Sequence, residues 1–190
     1  MVSNEKSFTD ADGKWYEASV NEMGSRMIIS GVGNGLFAGE RSITRAEFAA
    51  IVVRALGLPG TEGTVFTDID TTAWYSGAVN TAYAYGIIQG RENGIFDPDA
   101  NITREEAMAL IQRSAQVIGL AGTSSGLDSF ADADKVASWA LDAARFNVGS
   151  GLIVGSNGML NPEKHITRAE TATVILRLLQ KAELINTRGE

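Results

Sequence analysis

Residues 102–106 read Ile-Thr-Arg-Glu-Glu, and this stretch occurs twice more, as Ile-Thr-Arg-Ala-Glu at residues 43–47 and again at residues 166–170. The threonines of the three copies are 59 and then 64 positions apart. A motif that returns at such regular distances indicates an internal structural repeat. The motif therefore divides the chain into three units of similar length.

Several other residues recur at the same offsets, within one position. Agreement at so many positions excludes a chance similarity, and we assign residues 1–60, 61–122 and 123–190 to repeats 1, 2 and 3. The recurring sets are Phe8, Phe66 and Phe130; Asp10, Asp68 and Asp132; Trp15, Trp74 and Trp139; Gly31, Gly90 and Gly155; and Arg54, Arg113 and Arg177.

Each repeat is predicted to be a helix–loop–helix unit. In repeat 2, apolar residues recur at helical spacing from Trp74 to Tyr85, and Gly86 follows where a left-handed residue would end the helix. A second apolar stripe begins after Thr103 and ends at Gly119. One helix pair cannot bury its own apolar faces, so the three copies are expected to share one core. We therefore predict an all-α fold.

Repeat 1 departs from this pattern in two places. Met27 stands where the other repeats have Gly86 and Gly151, and its loop lacks the proline found at Pro98 and Pro162. Any groove formed by repeat 1 is therefore expected to differ from one formed by repeat 2 or 3.

The Thr-Arg-x-Glu motif has a structural explanation for two of its members. A threonine followed three residues later by glutamate, just before an apolar helical run, is a capping box. The threonine hydroxyl accepts from a backbone N–H of the first turn, and the glutamate accepts from the backbone N–H of the threonine. This accounts for Thr44 with Glu47 and for the two equivalent pairs without any ligand.

Capping does not explain the arginines of the motif, Arg45, Arg104 and Arg168. They occupy the first helical turn, where the helix dipole disfavours a cation by a few tenths of a kcal/mol. One explanation is an anion receptor built from the guanidinium and the free helix N–H groups. The other is an ion pair with an acidic group of a neighbouring repeat, for which the candidates are Asp10, Asp68 and Asp132.

The recurring tryptophans and glycines also have two explanations each. A tryptophan at the start of a helix is more often a core residue than a ligand platform, although an exposed indole edge would suit a sugar ring. The glycines are needed either for their backbone angles or to let a ligand approach main-chain donors. For Arg54, Arg113 and Arg177, late in their helices, the favourable dipole indicates a structural role.

Composition excludes several functions. The net charge of -7 argues against general nucleic-acid binding, and no apolar run is long enough to span a membrane. The chain has no cysteine, and its first residues do not form a signal peptide. If the protein works outside the cell, we expect this chain to be a fragment of a longer precursor.

We predict neither a metal site nor a cofactor. The Asp-x-Asp pairs, such as Asp68 with Asp70, lack the twelve-residue loop and terminal glutamate of a helix–loop–helix calcium site. His165 is the only histidine, so it has no second imidazole with which to share a metal. We expect it to lie in a loop.

Together these residues resemble the S-layer homology (SLH) domain family. The resemblance rests on the Phe-x-Asp opening, the tryptophan, the Gly-Ile-Ile-Gln-Gly segment at residues 86–90 and the Ile-Thr-Arg-Ala-Glu motif. It covers residues 7–185. It implies a pseudo-threefold arrangement in which the motif-bearing helices form a central three-helix bundle.

The resemblance also implies a function. Grooves between adjacent repeats would bind a secondary cell-wall polysaccharide, in many family members one that carries pyruvylated N-acetylmannosamine. The chain would then be covalently part of a larger extracellular surface protein, held at the cell wall. The implied ligand-binding residues are Arg45, Arg104, Arg168, Asp10, Asp68, Asp132, Trp15, Trp74, Trp139, Gly31, Gly90 and Gly155.

Two alternative functions make different predictions. A glycoside hydrolase would need paired carboxylates across a cleft, whereas the recurring glutamates are engaged in capping. We therefore expect no catalytic residues and no enzyme. A helical-repeat module for protein–protein contact or self-assembly would show exposed apolar patches and no dependence on the three arginines.

Overall fold

The computed structural model describes residues 5–63 and 65–186, and within them the fold is all-α, as predicted. No strand occurs in these residues, and the few β-bridges are isolated. The first helix of repeat 2 begins at Ser76, two residues later than its apolar pattern suggested. The six α-helices are α1 (Glu17–Ser25), α2 (Arg45–Ala55), α3 (Ser76–Ala84), α4 (Arg104–Val117), α5 (Leu141–Gly149) and α6 (Arg168–Lys181).

The three motif helices α2, α4 and α6 all begin with the predicted capping box. In α4 the backbone N–H of Glu106 donates to Thr103 Oγ1 over 3.2 Å, and the backbone N–H of Thr103 donates to Glu106 Oε2 over 2.8 Å. The same reciprocal bonds start α2 and α6. Gly119 follows α4 with φ 69°, which confirms the predicted helix end.

The helices pack across the repeats. Helix α3 packs against α2, α5 against α4, and α1 against α6, so each first helix lies on the motif helix of another repeat. Helix α6 in turn contacts both α2 and α4. The buried side chains form one cluster that runs through all three repeats. This single core is the one expected from helix pairs that cannot bury their faces alone.

Three isoleucines just before the motif threonines close a ring at the centre of the molecule. The backbone N–H of Ile43 donates to Ile166 O, that of Ile166 to Ile102 O, and that of Ile102 to Ile43 O. All three bonds measure 3.1 Å, and all three side chains are buried. Each repeat thus meets the next in the same way, as a pseudo-threefold arrangement requires.

Because the helix pairs combine different repeats, packing does not locate the boundaries at residues 60/61 and 122/123, which stay a prediction. Among the described residues, no helix is both long and apolar enough to cross a membrane.

Candidate functional site

The three motif arginines are almost fully buried, each being only 7–8% exposed. Arg104 shows why they lie there. Its Nε donates to Leu160 O over 2.7 Å, and its Nη1 donates to Glu170 Oε1 over 2.8 Å. Both partners belong to repeat 3. The arginine of one repeat therefore holds the loop and the capping glutamate of the next.

Arg45 and Arg168 make equivalent contacts. Arg45 Nε donates to Phe96 O over 2.8 Å, and its Nη1 lies 3.3 Å from Glu106 Oε1. Arg168 Nε donates to Phe37 O over 3.0 Å, and its Nη1 lies 3.6 Å from Glu47 Oε1. Both guanidinium groups also lie 4.8 Å from the ring centre of that phenylalanine. The ion-pair partner of each arginine is thus a capping glutamate, and the expectation of an aspartate was wrong.

The motif arginines remain positively charged although they are buried. Burial lowers the pKa of Arg45 and of Arg168, and the adjacent glutamates Glu106 and Glu47 oppose this effect. An arginine stays protonated in proteins because its pKa begins so high. Each site therefore holds a permanent, well-positioned cation.

The motif arginines Arg104 and Arg168 each line a groove. The larger of these two grooves, which we name the Trp15 groove, has a volume of about 610 Å³ and is lined by residues of all three repeats. Repeat 1 contributes Trp15 and repeat 2 contributes Arg104. Repeat 3 contributes the loop after α5 and one face of α6. The lining residues used below are Trp15, Arg104, Val154, Gly155, Lys164, Glu170 and Arg177.

The Trp74 groove has the same plan with each repeat advanced by one, and a volume of about 280 Å³. Repeat 2 contributes Trp74, repeat 3 contributes Arg168, and repeat 1 contributes its loop and a face of α2. The resemblance implied grooves between adjacent repeats, whereas each of these two needs all three. The residues used below are Gly31, Val32, Arg41, Glu47, Arg54, Trp74 and Arg168.

The recurring tryptophans are solvent-exposed, so interpreting them as core residues was wrong. Trp15 is 64% exposed, Trp74 65% and Trp139 57%. In repeat 1 the core position is taken by the next residue, Tyr16, which is 2% exposed and meets the Trp15 indole edge to face. An exposed indole at the rim of a groove presents an apolar face on which a ligand ring can stack.

Both grooves are positively charged, although the chain as a whole is acidic. The Trp15 groove contains Arg104, Lys164 and Arg177 against one carboxylate, that of Glu170. The Trp74 groove contains Arg41, Arg54 and Arg168 against Glu47 alone. Local excess of cations attracts and holds anions regardless of net charge.

Sequence reasoning missed four of these cations as site residues. Arg54 and Arg177 were given a structural role only. Each does support a loop, through bonds of 3.0 Å to Ile28 O and Leu152 O, but each also lines a groove. Their recurrence ten residues after the motif threonine was the available signal. Arg41 and Lys164 offered none, because they do not recur in repeat 2.

The recurring aspartates support the loops and line neither groove. Both oxygens of Asp132 accept backbone N–H groups, from Leu160 over 2.8 Å and from Asn161 over 2.7 Å. Asp10 and Asp68 make the same pair of bonds in their own repeats. Burial raises the pKa of Asp132, but these backbone bonds lower it, and the net pKa lies below its ordinary value. A direct role in ligand binding stays a prediction for all three.

The recurring glycines are required for space. A Cβ at Gly90 would lie 2.5 Å from Phe66 Cε1, and one at Gly31 would lie 2.9 Å from Phe8 Cε1. Gly155 would meet Phe130 in the same way and also has φ 70°. Gly31 and Gly155 line the two grooves. The phenylalanine ring of each repeat therefore leaves no room for a side chain at the recurring glycine.

Of the third set of predicted residues, Arg45 and Gly90 lie close together. Arg45 Nη2 donates to Gln89 O over 3.2 Å, which places it beside Gly90. Trp139 is exposed, as noted above. His165 lies in the loop before α6, as expected. Within residues 5–63 and 65–186, no three histidine, aspartate or glutamate side chains are grouped so as to hold a metal ion.

Comparison with known proteins yields one family. A family model described as the S-layer homology domain matches three times, at residues 7–49, 65–108 and 129–172. The chain is 30% identical over 181 residues to an amylopullulanase of Thermoanaerobacterium thermosulfurigenes, which covers 94% of the chain and 10% of that protein. It is 34% identical over 160 residues to the surface-layer 125 kDa protein of Lysinibacillus sphaericus, covering 82% of the chain and 13% of the relative.

A third relative is cell surface glycoprotein 1 of Acetivibrio thermocellus, with 32% identity over 170 residues. That match covers 84% of the chain and 7% of the relative. The chain thus spans only a small part of each relative.

Proposed function

This chain belongs to the S-layer homology domain family, and on that premise we propose that its grooves bind a secondary polysaccharide of the bacterial cell wall. The domain is a non-catalytic module associated with the cell surface. Its part in the proposal is to hold a larger, covalently attached surface protein at the wall.

The observation that carries this proposal is the combination of an exposed indole and an excess of cations in each of two grooves. An acidic sugar presents both a ring face and an anionic group. The ring can stack on Trp15 or Trp74, and the anion can pair with the arginines across the groove. A ligand without charge would leave the cations unused, and a simple anion would leave the indole unused.

Pyruvylated N-acetylmannosamine is the sugar that suits this combination best. Its ketal carboxylate is a compact anion of the kind that guanidinium groups bind through two parallel hydrogen bonds. Its ring carbons offer an apolar face to the indole. We therefore propose that this sugar, within the polymer, is the unit recognised.

Two grooves on one domain would strengthen attachment. Once one sugar of a polymer is bound, the next groove meets a high local concentration of the same chain. Weak individual contacts then give durable anchoring without a large interface.

Sedimentation with purified cell-wall sacculi tests the proposal. Native sacculi are compared with sacculi stripped of their secondary polymer. The informative variant is Trp15→Ala combined with Trp74→Ala, because both side chains are exposed and their removal spares the core. Replacing the motif arginines would be less informative, since they also hold the loops of neighbouring repeats.

Wild-type protein is expected to sediment with native sacculi only, and the double variant is expected to stay in solution. Tyr85→Ala is the matched control, because Tyr85 is an exposed aromatic residue that lines neither groove. Circular dichroism verifies that all three proteins are folded. Equal sedimentation of wild type and double variant, or binding to stripped sacculi, would overturn the proposal and favour a protein or peptidoglycan partner.

A further inference from the structure

The three motif arginines differ in how many of their guanidinium nitrogens have a partner within the protein. Arg45 Nη2 donates to Gln89 O over 3.2 Å, and Arg168 Nη2 donates to Ser30 O over 2.7 Å. Arg104 makes two hydrogen bonds, as Arg168 does, but among the described residues its Nη2 has neither a hydrogen bond nor an ion-pair partner. The remaining Nη1 of Arg168, in contrast, lies 3.6 Å from Glu47 Oε1. Arg104 is only 8% exposed, and it lines the Trp15 groove. A buried guanidinium with a free N–H pair is a strong site for an anion.

A shorter loop accompanies this difference. Two residues separate Gly31 from the following Asn34, and two separate Gly90 from Asn93, but only Ser156 separates Gly155 from Asn157. Within the described residues, Gly155 is also the only one of these three glycines with a positive φ. Val154, which takes the place of Gln89 and Ser30 in repeat 3, makes no bond to Arg104 among the described contacts. The free N–H pair is thus a property of the repeat 3 loop.

The other cations of the two grooves also differ in how many of them are paired with a carboxylate. In the Trp74 groove, Glu47 pairs with both Arg41 and Arg168. In the Trp15 groove, Glu170 pairs with Arg104, while Lys164 is exposed and has no acidic partner in the described part of the chain. The two grooves carry the same formal charge, but within the described structure the Trp15 groove holds one more cation without an ion-pair partner, which is available to a ligand.

Near Arg45 lies a second cation, Arg91, which is already paired with carboxylates of the protein. Arg91 Nη1 lies 3.3 Å from Asp97 Oδ2, and Arg91 Nη2 lies 3.7 Å from Glu106 Oε1. At the position of Asp97, repeats 1 and 3 have the uncharged residues Ala38 and Asn161. Asp97 thus adds a carboxylate near Arg45 that cancels the charge of Arg91, and this carboxylate disfavours an incoming anion.

We propose that the subsites are graded: the Trp15 groove, through Arg104 Nη2 and Lys164 Nζ, is the high-affinity site for a carboxylate-bearing sugar, the Trp74 groove is weaker, and the Arg45 position is weakest. This grading rests on the proposed function. The Trp15 groove has the free donors, the larger volume and the unpaired lysine. The Arg45 position has neither a free Nη2 nor an unopposed charge.

Isothermal titration calorimetry with the methyl glycoside of 4,6-pyruvylated N-acetylmannosamine tests the grading. Wild-type protein is expected to show a tighter and a weaker binding event. Trp15→Ala and Lys164→Gln are each expected to weaken the tighter event by about tenfold, which corresponds to about 1.4 kcal/mol. The matched variants Trp74→Ala and Arg41→Gln are expected to leave the tighter event unchanged. All four substitutions are at exposed side chains outside the core.

The possible failures are distinguishable. If wild-type protein does not bind this glycoside at all, the proposed function is overturned together with the grading. If the glycoside binds but the tighter event is lost in Trp74→Ala, or if Trp15→Ala and Trp74→Ala weaken binding equally, only the grading is overturned. Asp97→Asn, which introduces the residue found at the equivalent position 161 of repeat 3, adds a check on the third position, because it removes the carboxylate and leaves Arg91 with one fewer acidic partner. It is expected to add a further weak binding event, and unchanged stoichiometry would contradict the role given to Asp97.

Discussion

Nη1 of Arg104 lies 2.8 Å from Oε1 of Glu170, and this bond ties the first turn of α4 to the first turn of α6. The other oxygen of Glu170 accepts the backbone N–H of Thr167 over 2.9 Å. One carboxylate thus caps its own helix and neutralises the arginine of the preceding repeat. Formation of the helix and docking of the repeats depend on the same side chain.

Glu170→Gln is expected to destabilise the protein by about 2 kcal/mol, because it leaves the buried Arg104 without its counter-charge. The amide can still accept a capping bond, so helix content should stay unchanged. Urea unfolding followed by circular dichroism measures the effect. Glu163→Gln, at an exposed loop position, is the control and should be neutral. Equal stability of both variants would show that the ion pair contributes nothing.

Met27→Gly is expected to stabilise the protein by about 1 kcal/mol, because Met27 has φ 59° and a residue with a Cβ is strained in that region. Its side chain is 71% exposed, so little packing is lost. The reverse change, Gly86→Met, should destabilise by a similar amount, since Gly86 has φ 72° and open space around it. Unfolding midpoints that move in the same direction for both would contradict this account.

Gly90→Ala is expected to cost about 1–3 kcal/mol, because its Cβ would lie 2.5 Å from Phe66 Cε1 and 3.0 Å from Ile95 O. Gly77→Ala should instead stabilise by about 0.5–1 kcal/mol, since Gly77 lies in the first turn of α3 and its Cβ would meet nothing within 4 Å beyond the backbone of its own helix. Thermal unfolding of the two variants should therefore give shifts of opposite sign. A neutral Gly90→Ala would mean that Phe66 can move aside freely.

Asp132→Asn is expected to destabilise the protein by about 2 kcal/mol at neutral pH, because an amide cannot accept from both Leu160 and Asn161. The pKa of Asp132 is lowered in the folded state, so its contribution is complete above the unfolded value of about 3.9 and is lost as the pH falls through the folded pKa.

The wild type should therefore lose stability below about pH 4 more steeply than Asp132→Asn. Unfolding free energies measured between neutral and strongly acidic pH check this difference in slope. Asp134→Asn, at a neighbouring exposed aspartate, should follow the wild-type curve. Parallel curves for wild type and Asp132→Asn would rule out the proposed linkage.

Much of the fold was predictable because its signals are local or repeated. The capping box of Thr103 and Glu106 spans three positions, and its bonds form whenever the helix forms. The end of α4 needs only a residue that accepts a positive φ, and Gly119 is such a residue. The candidate site was less predictable. Recurrence identified Arg104 and Trp15 separately, but no local pattern showed that Trp15 is exposed or that the two face one groove.

The sequence by itself determined the number of repeats, the helical class of the fold, the starts of the motif helices and the end of α4, since each signal is either local or repeated along the chain. Only the tertiary structure decided what each arginine meets. Arg45, Arg104 and Arg168 bond to carbonyl groups 51, 56 and 131 positions away, and which repeat supplies them depends on how the ring of repeats closes. The same closure brings Trp15, Arg104 and Gly155, one from each repeat, into a single groove. One helix pair cannot bury its apolar face alone, so packing among the three copies created the grooves.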